Sequence, residues 1–231
     1  HDSDPEPLAA RSEDRESKLN PNSCVGLVVS PDSRLVAART LSNMIQVWNL
    51  GSKELVAKLD GGRMVGGAGP RFLPDGDVLR SFGQTIQRWR VEPGSKPTTL
   101  AKASDAIVSM VASPNGERVA VCTWRNRIEL FDVASGKQVG ESVELPVRAM
   151  SMTISPDNKF LAVADRAGSL RLYYLAELSP FATWKVSDDE LKTVVFSPNG
   201  KWIAVAGVDG LVRIRTSPGG EPVATLPGHE G

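Results

Sequence analysis

A proline-centred turn recurs five times along the chain at nearly constant spacing. The copies are Ser30-Pro31-Asp32, Leu73-Pro74-Asp75-Gly76, Ser113-Pro114-Asn115-Gly116, Ser155-Pro156-Asp157 and Ser197-Pro198-Asn199-Gly200, with prolines 43, 40, 42 and 42 residues apart. A second landmark keeps step independently: Trp48, Trp89, Phe131, Tyr173 and Arg215 are 41, 42, 42 and 42 residues apart. Each copy reads alike. In the last, Val194 to Thr216, an apolar run, the Ser-Pro-Asn-Gly turn, a second apolar run, an Asp209-Gly210 turn and a third run follow one another, and Pro222 to Leu226 supplies a fourth run. Pro198 presets φ at the second position of a type I turn and Gly200 closes it. Asp209-Gly210 offers the positive φ values of a primed hairpin turn. Every copy is therefore expected to be four short antiparallel strands.

Four strands repeating every 40 to 45 residues is the signature of a β-propeller blade, which predicts an all-β chain of about five blades. The units resemble WD40 repeats: the proline turn is similar to that family's SPDG, Trp48-Asn49 and Phe131-Asp132 to its WD dipeptide, and Gly228-His229 to its GH. The resemblance covers residues 24 to 231, with blades expected at 24–60, 63–103, 106–145, 147–186 and 190–226 and a further repeat opening at 228–231. Propellers of this family usually close with seven blades. The resemblance thus implies an arc short of about two, whose apolar end faces are covered by remaining blades of a parent protein or by self-association. Blade 2, with GGAGPRFL as its inner strand, is expected to be the most irregular, because glycines weaken strands. Inner strands read as continuously apolar, whereas third strands such as Val212-Arg-Ile-Arg alternate, which suggests enclosed inner strands and wetter outer ones.

The remaining composition narrows the function. With 27 basic and 27 acidic residues the chain has no net field to gather nucleic acid or an anionic membrane, and no partner of either kind is expected. No apolar run approaches the length that spans a bilayer. The first 23 residues are charge-rich and proline-punctuated, reading as a linker or loop with a short helix possible at Leu8 to Leu19. The chain opens on His1 rather than Met and closes within a repeat, so it is expected to be a piece of a longer protein in a reducing, cytoplasmic compartment. Cys24 and Cys122 read as small buried hydrophobes. With His1 and His229 the only histidines, neither a metal site nor a Ser-His-Asp arrangement can be assembled, and no cofactor is expected. Gly61-Gly62 and Gly66-Gly67-Ala68-Gly69 lack the order of a phosphate loop. Arg88-Trp89-Arg90 reads as an alternating strand with its arginines in water.

The WD40 resemblance also implies site residues. Its blade-fastening tetrad of His, Ser or Thr, Asp and Trp maps its aromatic onto Trp48, Trp89, Phe131 and Tyr173, then Arg215. The hydroxyl maps onto Thr40, Ser81 and Thr123, then Asp165 and Gly207. The Asp maps onto Ser42, Gly83, Arg125 and Ala167, and only in the last blade onto an aspartate, Asp209. The histidine position holds Arg63 in blade 2 and Ser187 in blade 5, so no blade keeps the whole set and apolar burial must carry stability. Partners of such proteins usually dock on the narrow top rim. The rim here would be Arg63, Trp124, Arg125, Arg148, Arg166, Asp188, Asp189, Lys192 and Asp209, with Trp124 and Arg125 of the types enriched at interface hot spots. The expected function is a non-catalytic scaffold holding a protein or peptide. Two alternatives are a sensory or regulatory module of a larger bacterial protein such as a Ser/Thr kinase, and a propeller enzyme with a metal or quinone in its channel.

Overall fold

The computed structural model describes residues 23–60 and 68–228. The residues 1–22 of the expected linker, the 61–67 stretch with Arg63 and its glycines, and His229 lie outside the described residues. Among the described residues, twenty strands form five four-stranded antiparallel sheets. The first holds β1 (Cys24–Val29), β2 (Leu35–Thr40), β3 (Ile45–Asn49) and β4 (Leu55–Leu59). The second holds β5 (Arg71–Phe72), β6 (Val78–Phe82), β7 (Thr85–Trp89) and β8 (Thr98–Lys102). The third holds β9 (Ile107–Ala112), β10 (Arg118–Thr123), β11 (Arg127–Asp132) and β12 (Val143–Glu144). The fourth holds β13 (Ala149–Ile154), β14 (Phe160–Asp165), β15 (Ser169–Tyr174) and β16 (Ser179–Lys185). The fifth holds β17 (Leu191–Phe196), β18 (Trp202–Gly207), β19 (Leu211–Thr216) and β20 (Pro222–Pro227).

The sheets fan about one axis. Inner strands neighbour one another in chain order, β1 to β5, β5 to β9, β9 to β13 and β13 to β17. One cavity of about 410 Å³ is walled by Pro31 of the first blade and by residues of β5, β9, β13 and β17. The five blades are thus part of a β-propeller, and four apolar clusters fill its four junctions. Val28, Ala37, Val47, Phe72 and Trp89 join blades 1 and 2, and Leu79, Ile86, Met110, Val121 and Phe131 join blades 2 and 3. Cys122, Leu130, Met152, Leu161 and Tyr173 join blades 3 and 4, and Ala162, Leu170, Val194, Ile203 and Val205 join blades 4 and 5. Each fully buried Val, Leu or Ile contributes about 1.5–3 kcal/mol, and because every cluster is split between two sheets no blade keeps its core alone.

The turns explain the spacing. In each proline turn the residue after Asp or Asn is left-handed: Gly76, Gly116 and Gly200 at φ 71° to 88°, Ser33 at 58° and Asn158 at 60°. Its N–H donates back to the residue before proline, as in Gly200 to Ser197 at 2.8 Å. The second turns differ from expectation. In the last blade Gly210 alone has positive φ (72°), and its N–H reaches back to Gly207 O, so the Asp209-Gly210 hairpin is the same four-residue construction and not a primed two-residue turn.

Burial differs from expectation too. The most enclosed strands are the second and third, β10, β11 and β14, because these are flanked on both faces. The inner strands are only partly enclosed, β17 reading buried at Leu191 and Val194 and exposed at Lys192, Thr193 and Val195. The outermost β20 faces water along most of its length. Blade 2 is irregular as expected, its inner strand reduced to Arg71–Phe72. The two end faces are apolar and open: Leu27 (68 % exposed), Val29 and Leu55 on blade 1, Val195, Trp202 and Leu226 on blade 5. Cys122 is buried, but Cys24 is exposed, because β1 lines one of those open faces.

Candidate functional site

The second turns and the connections leading into each inner strand come out at one edge of the sheets. The tetrad positions lie beneath it and are fastened in other ways. Asp165, fully buried at the hydroxyl position of blade 4, accepts from the N–H groups of Ala167 (3.0 Å) and Ser169 (2.9 Å) and from Arg171 Nε at 2.9 Å. In blade 5 Ser187, at the histidine position, donates from Oγ to Asp209 Oδ2 at 2.8 Å, and Arg213 Nη2 lies 2.7 Å from the same oxygen. Blade 3 repeats the device with other residues, the N–H and hydroxyl of Ser104 both engaging the buried carboxylate of Glu129. In blade 1 Thr40 and Ser42 share a 2.8 Å hydroxyl bond. Trp48 is half-buried, while Phe131, Tyr173 and Trp89 are buried. Among the described residues the indole N–H of Trp89 has no partner, so that ring acts as packing. Arg88 does not simply face water: it bridges Asp75 and Asp77 of the adjacent turn.

The rim residues divide into two groups. Trp124 and Arg125 occupy the β10–β11 turn, Arg148 immediately precedes β13, Arg166 occupies the β14–β15 turn and Lys192 is the second residue of β17. Trp124 is 69 % exposed, and the Arg148 guanidinium lies over its ring, 5.8 Å from the centroid. Val108, Thr123, Trp124, Asn126 and Arg148 wall a notch of about 230 Å³ between blades 3 and 4. Asp188 and Asp189 project from the next connection, Asp188 facing Lys185 at 3.8 Å, and Asp209 is held inside the blade 5 network.

Two carboxylates absent from the sequence reading organise the cations. Asp105 caps Ala106 N–H at 2.7 Å and lies 3.4 Å from Arg125 Nε. Glu190 receives Lys192 Nζ at 2.7 Å and faces Arg166 Nε at 3.7 Å. The bond from Lys192, with Arg166 and Arg148 nearby, holds Glu190 below the usual carboxylate range. Asp105 stands two residues before β9 and Glu190 directly before β17, in the connections that lead into those inner strands. Arg213, with Leu211 N–H and Ser187, lowers Asp209 to about 2. Burial raises Cys122 to about 11, against a smaller opposing effect of Arg148. Among the described residues no group of three His, Cys, Asp or Glu side chains could hold a metal, and no helix is long and apolar enough to cross a membrane.

The family model for the WD domain, G-beta repeat matches residues 179–215, from β16 through β19. That stretch is a WD40 repeat. The chain is 29 % identical over 121 residues to "Periodic tryptophan protein 2" of Saccharomyces cerevisiae, covering 49 % of this chain and 13 % of that one. It is 27 % identical over 154 residues to "U3 small nucleolar RNA-associated protein 18" of the same yeast, covering 59 % and 26 %. To "Uncharacterized WD repeat-containing protein sll1491" of Synechocystis it is 28 % identical over 144 residues, covering 62 % and 41 %. The chain thus spans a minor part of each of these relatives.

Proposed function

We propose that this WD40 chain is a non-catalytic scaffold that holds a protein or peptide segment on the edge formed by its second turns. The observation that carries the reading is Trp124, a large apolar side chain left mostly in water on a turn, beside exposed Arg125 and Arg148. Trp and Arg dominate interface energetics where a partner can desolvate them. Of the second turns, those of blades 1 and 5 also expose an apolar residue, Leu41 and Val208, but Trp124 is the largest such side chain on this edge among the described residues. Apart from Arg148, which lies over the Trp124 ring, the acid and base groups near the rim are mostly engaged with one another in ion pairs and turn caps, an arrangement suited to display of a surface.

The test is capture of the partners that co-purify with the full chain, comparing wild type with the double variant Trp124→Ala, Arg125→Ala. The double variant is expected to lose its partner while its melting temperature stays within a few degrees, because both side chains are exposed. Undiminished capture removes this rim from the reading.

A further inference from the structure

Resting on that reading, we propose that the notch between blades 3 and 4 selects an acidic segment, with an apolar side chain set against Trp124 and flanking carboxylates on the surrounding arginines. The notch has an apolar wall in Val108 and the Trp124 ring, and hydrogen-bonding groups in Thr123, Asn126 and Arg148. Its volume of about 230 Å³ is that of one side chain rather than of a cofactor.

Charge decides the chemistry of the occupant. Arg148 lines the notch and Arg125 follows Trp124 in the same turn, while Arg166 and Lys192 meet Glu190, whose carboxyl Arg148 also helps to lower; the carboxylates paired with Arg125, Arg166 and Lys192 are Asp105 and Glu190. Arg125 and Arg166 keep most of their side chains in water (82 % and 69 %) despite those contacts, so each retains free donors in its fork. Arg148 has no carboxylate within 4.0 Å among the described residues; its contact is the Trp124 face. Arg148 is therefore free to take a carboxylate in the two-pronged geometry that guanidinium favours while still covering the indole.

The same features argue against a nucleic acid. The cations are few, Asp188 and Asp189 stand exposed on the neighbouring connection, and the chain has no net charge. A phosphate backbone needs a longer basic track to gain from counterion release.

The experiment titrates the full chain against a fluorescein-labelled peptide, Gly-Glu-Asp-Leu-Glu-Asp-Gly, by fluorescence anisotropy. The same peptide with lysine for each acid and a short single-stranded DNA serve as comparisons. The acidic peptide is expected to bind saturably and more weakly as salt rises, with affinity falling at least ten-fold in Trp124→Ala and in Arg148→Gln. Both positions are exposed, so circular dichroism and melting of the variants are expected to match wild type; Arg166→Gln provides a second, milder loss. Equal affinity for the lysine peptide, tighter binding of the DNA, or unchanged affinity in both main variants overturns the proposal. If the acidic peptide is not selected but the Trp124, Arg125 double variant still loses its co-purifying partner, the rim reading stands and only the acidic chemistry falls.

Discussion

Ser187 Oγ donates to Asp209 Oδ2 across 2.8 Å, tying the connection that leads into blade 5 to the second turn of that blade. Arg213 completes the arrangement, and its bond holds the Asp209 carboxyl at about 2. A carboxyl with a folded value below its unfolded one contributes stability above the unfolded value, near 4, and loses it as pH falls through the folded value. Asp209→Asn is therefore expected to lower the melting temperature at neutral pH, and the gap from wild type is expected to close between about pH 4 and pH 2. Melting curves across that range check it; a gap independent of pH assigns the loss to shape rather than charge.

Arg171→Ala leaves the carboxylate of Asp165 buried with two N–H donors but no cation. Removing one partner of such a buried pair costs about 3 kcal/mol or more. The expected outcome is a matching loss of hydrogen-exchange protection in β14 and β15. Arg166→Ala, one residue from the same aspartate but exposed, is expected to change protection by less than about 0.5 kcal/mol.

The two thiols differ in environment, and alkylation should report it. At pH 8 in native buffer Cys24 is expected to react with iodoacetamide, whereas Cys122, enclosed between blades 3 and 4 and raised to about 11, stays unmodified. In urea both are expected to react. Mass spectrometry of tryptic peptides separates them.

Ser33 and Asn158 hold the same left-handed turn position with opposite consequences. Ser33 is exposed at φ 58°, so Ser33→Gly relieves backbone strain and is expected to raise stability by about 0.5–1 kcal/mol. Asn158 Oδ1 accepts from Asn115 N–H at 3.0 Å, linking the proline turns of blades 3 and 4. Asn158→Gly gains conformational ease but loses that link, and no net stabilisation is expected. Denaturant midpoints of the two variants make the comparison.

The open faces of blades 1 and 5 are expected to drive self-association of the chain in dilute buffer. Leu27→Glu combined with Val195→Glu places a charge on each face at positions already half or more exposed. Sedimentation is expected to show a smaller mass for the double variant at unchanged melting temperature; an unchanged mass places association elsewhere.

Much of this architecture is written in the chain, because the repeat period fixes it and each unit carries its own turn chemistry. Pro198 with Gly200 marks a reversal whose geometry depends on neighbours in sequence alone, and the same holds for Pro114 with Gly116. The fastening of the blades was harder to see. Asp165 stands where a hydroxyl is the family's habit, and only the fold brings Arg171 to it across a hairpin; Ser104 and Glu129 are 25 residues apart in sequence. The exposure of Cys24 depended on which blade lacks a neighbour, which its apolar local sequence does not record. Trp124 and Arg125 stood out by residue type, but Asp105 and Glu190 read as ordinary connection residues until their cations were located.

The axial cavity ties the first blade to the last. Pro31 and Val195, from the first and last blades, wall the same space, so the chain curls far enough to bring its two bare faces to either side of one wedge. A body seated in that wedge would touch both faces together and act as a keystone, setting the curvature of all five blades at once and with it the spacing of the turns that Trp124 and Arg166 occupy.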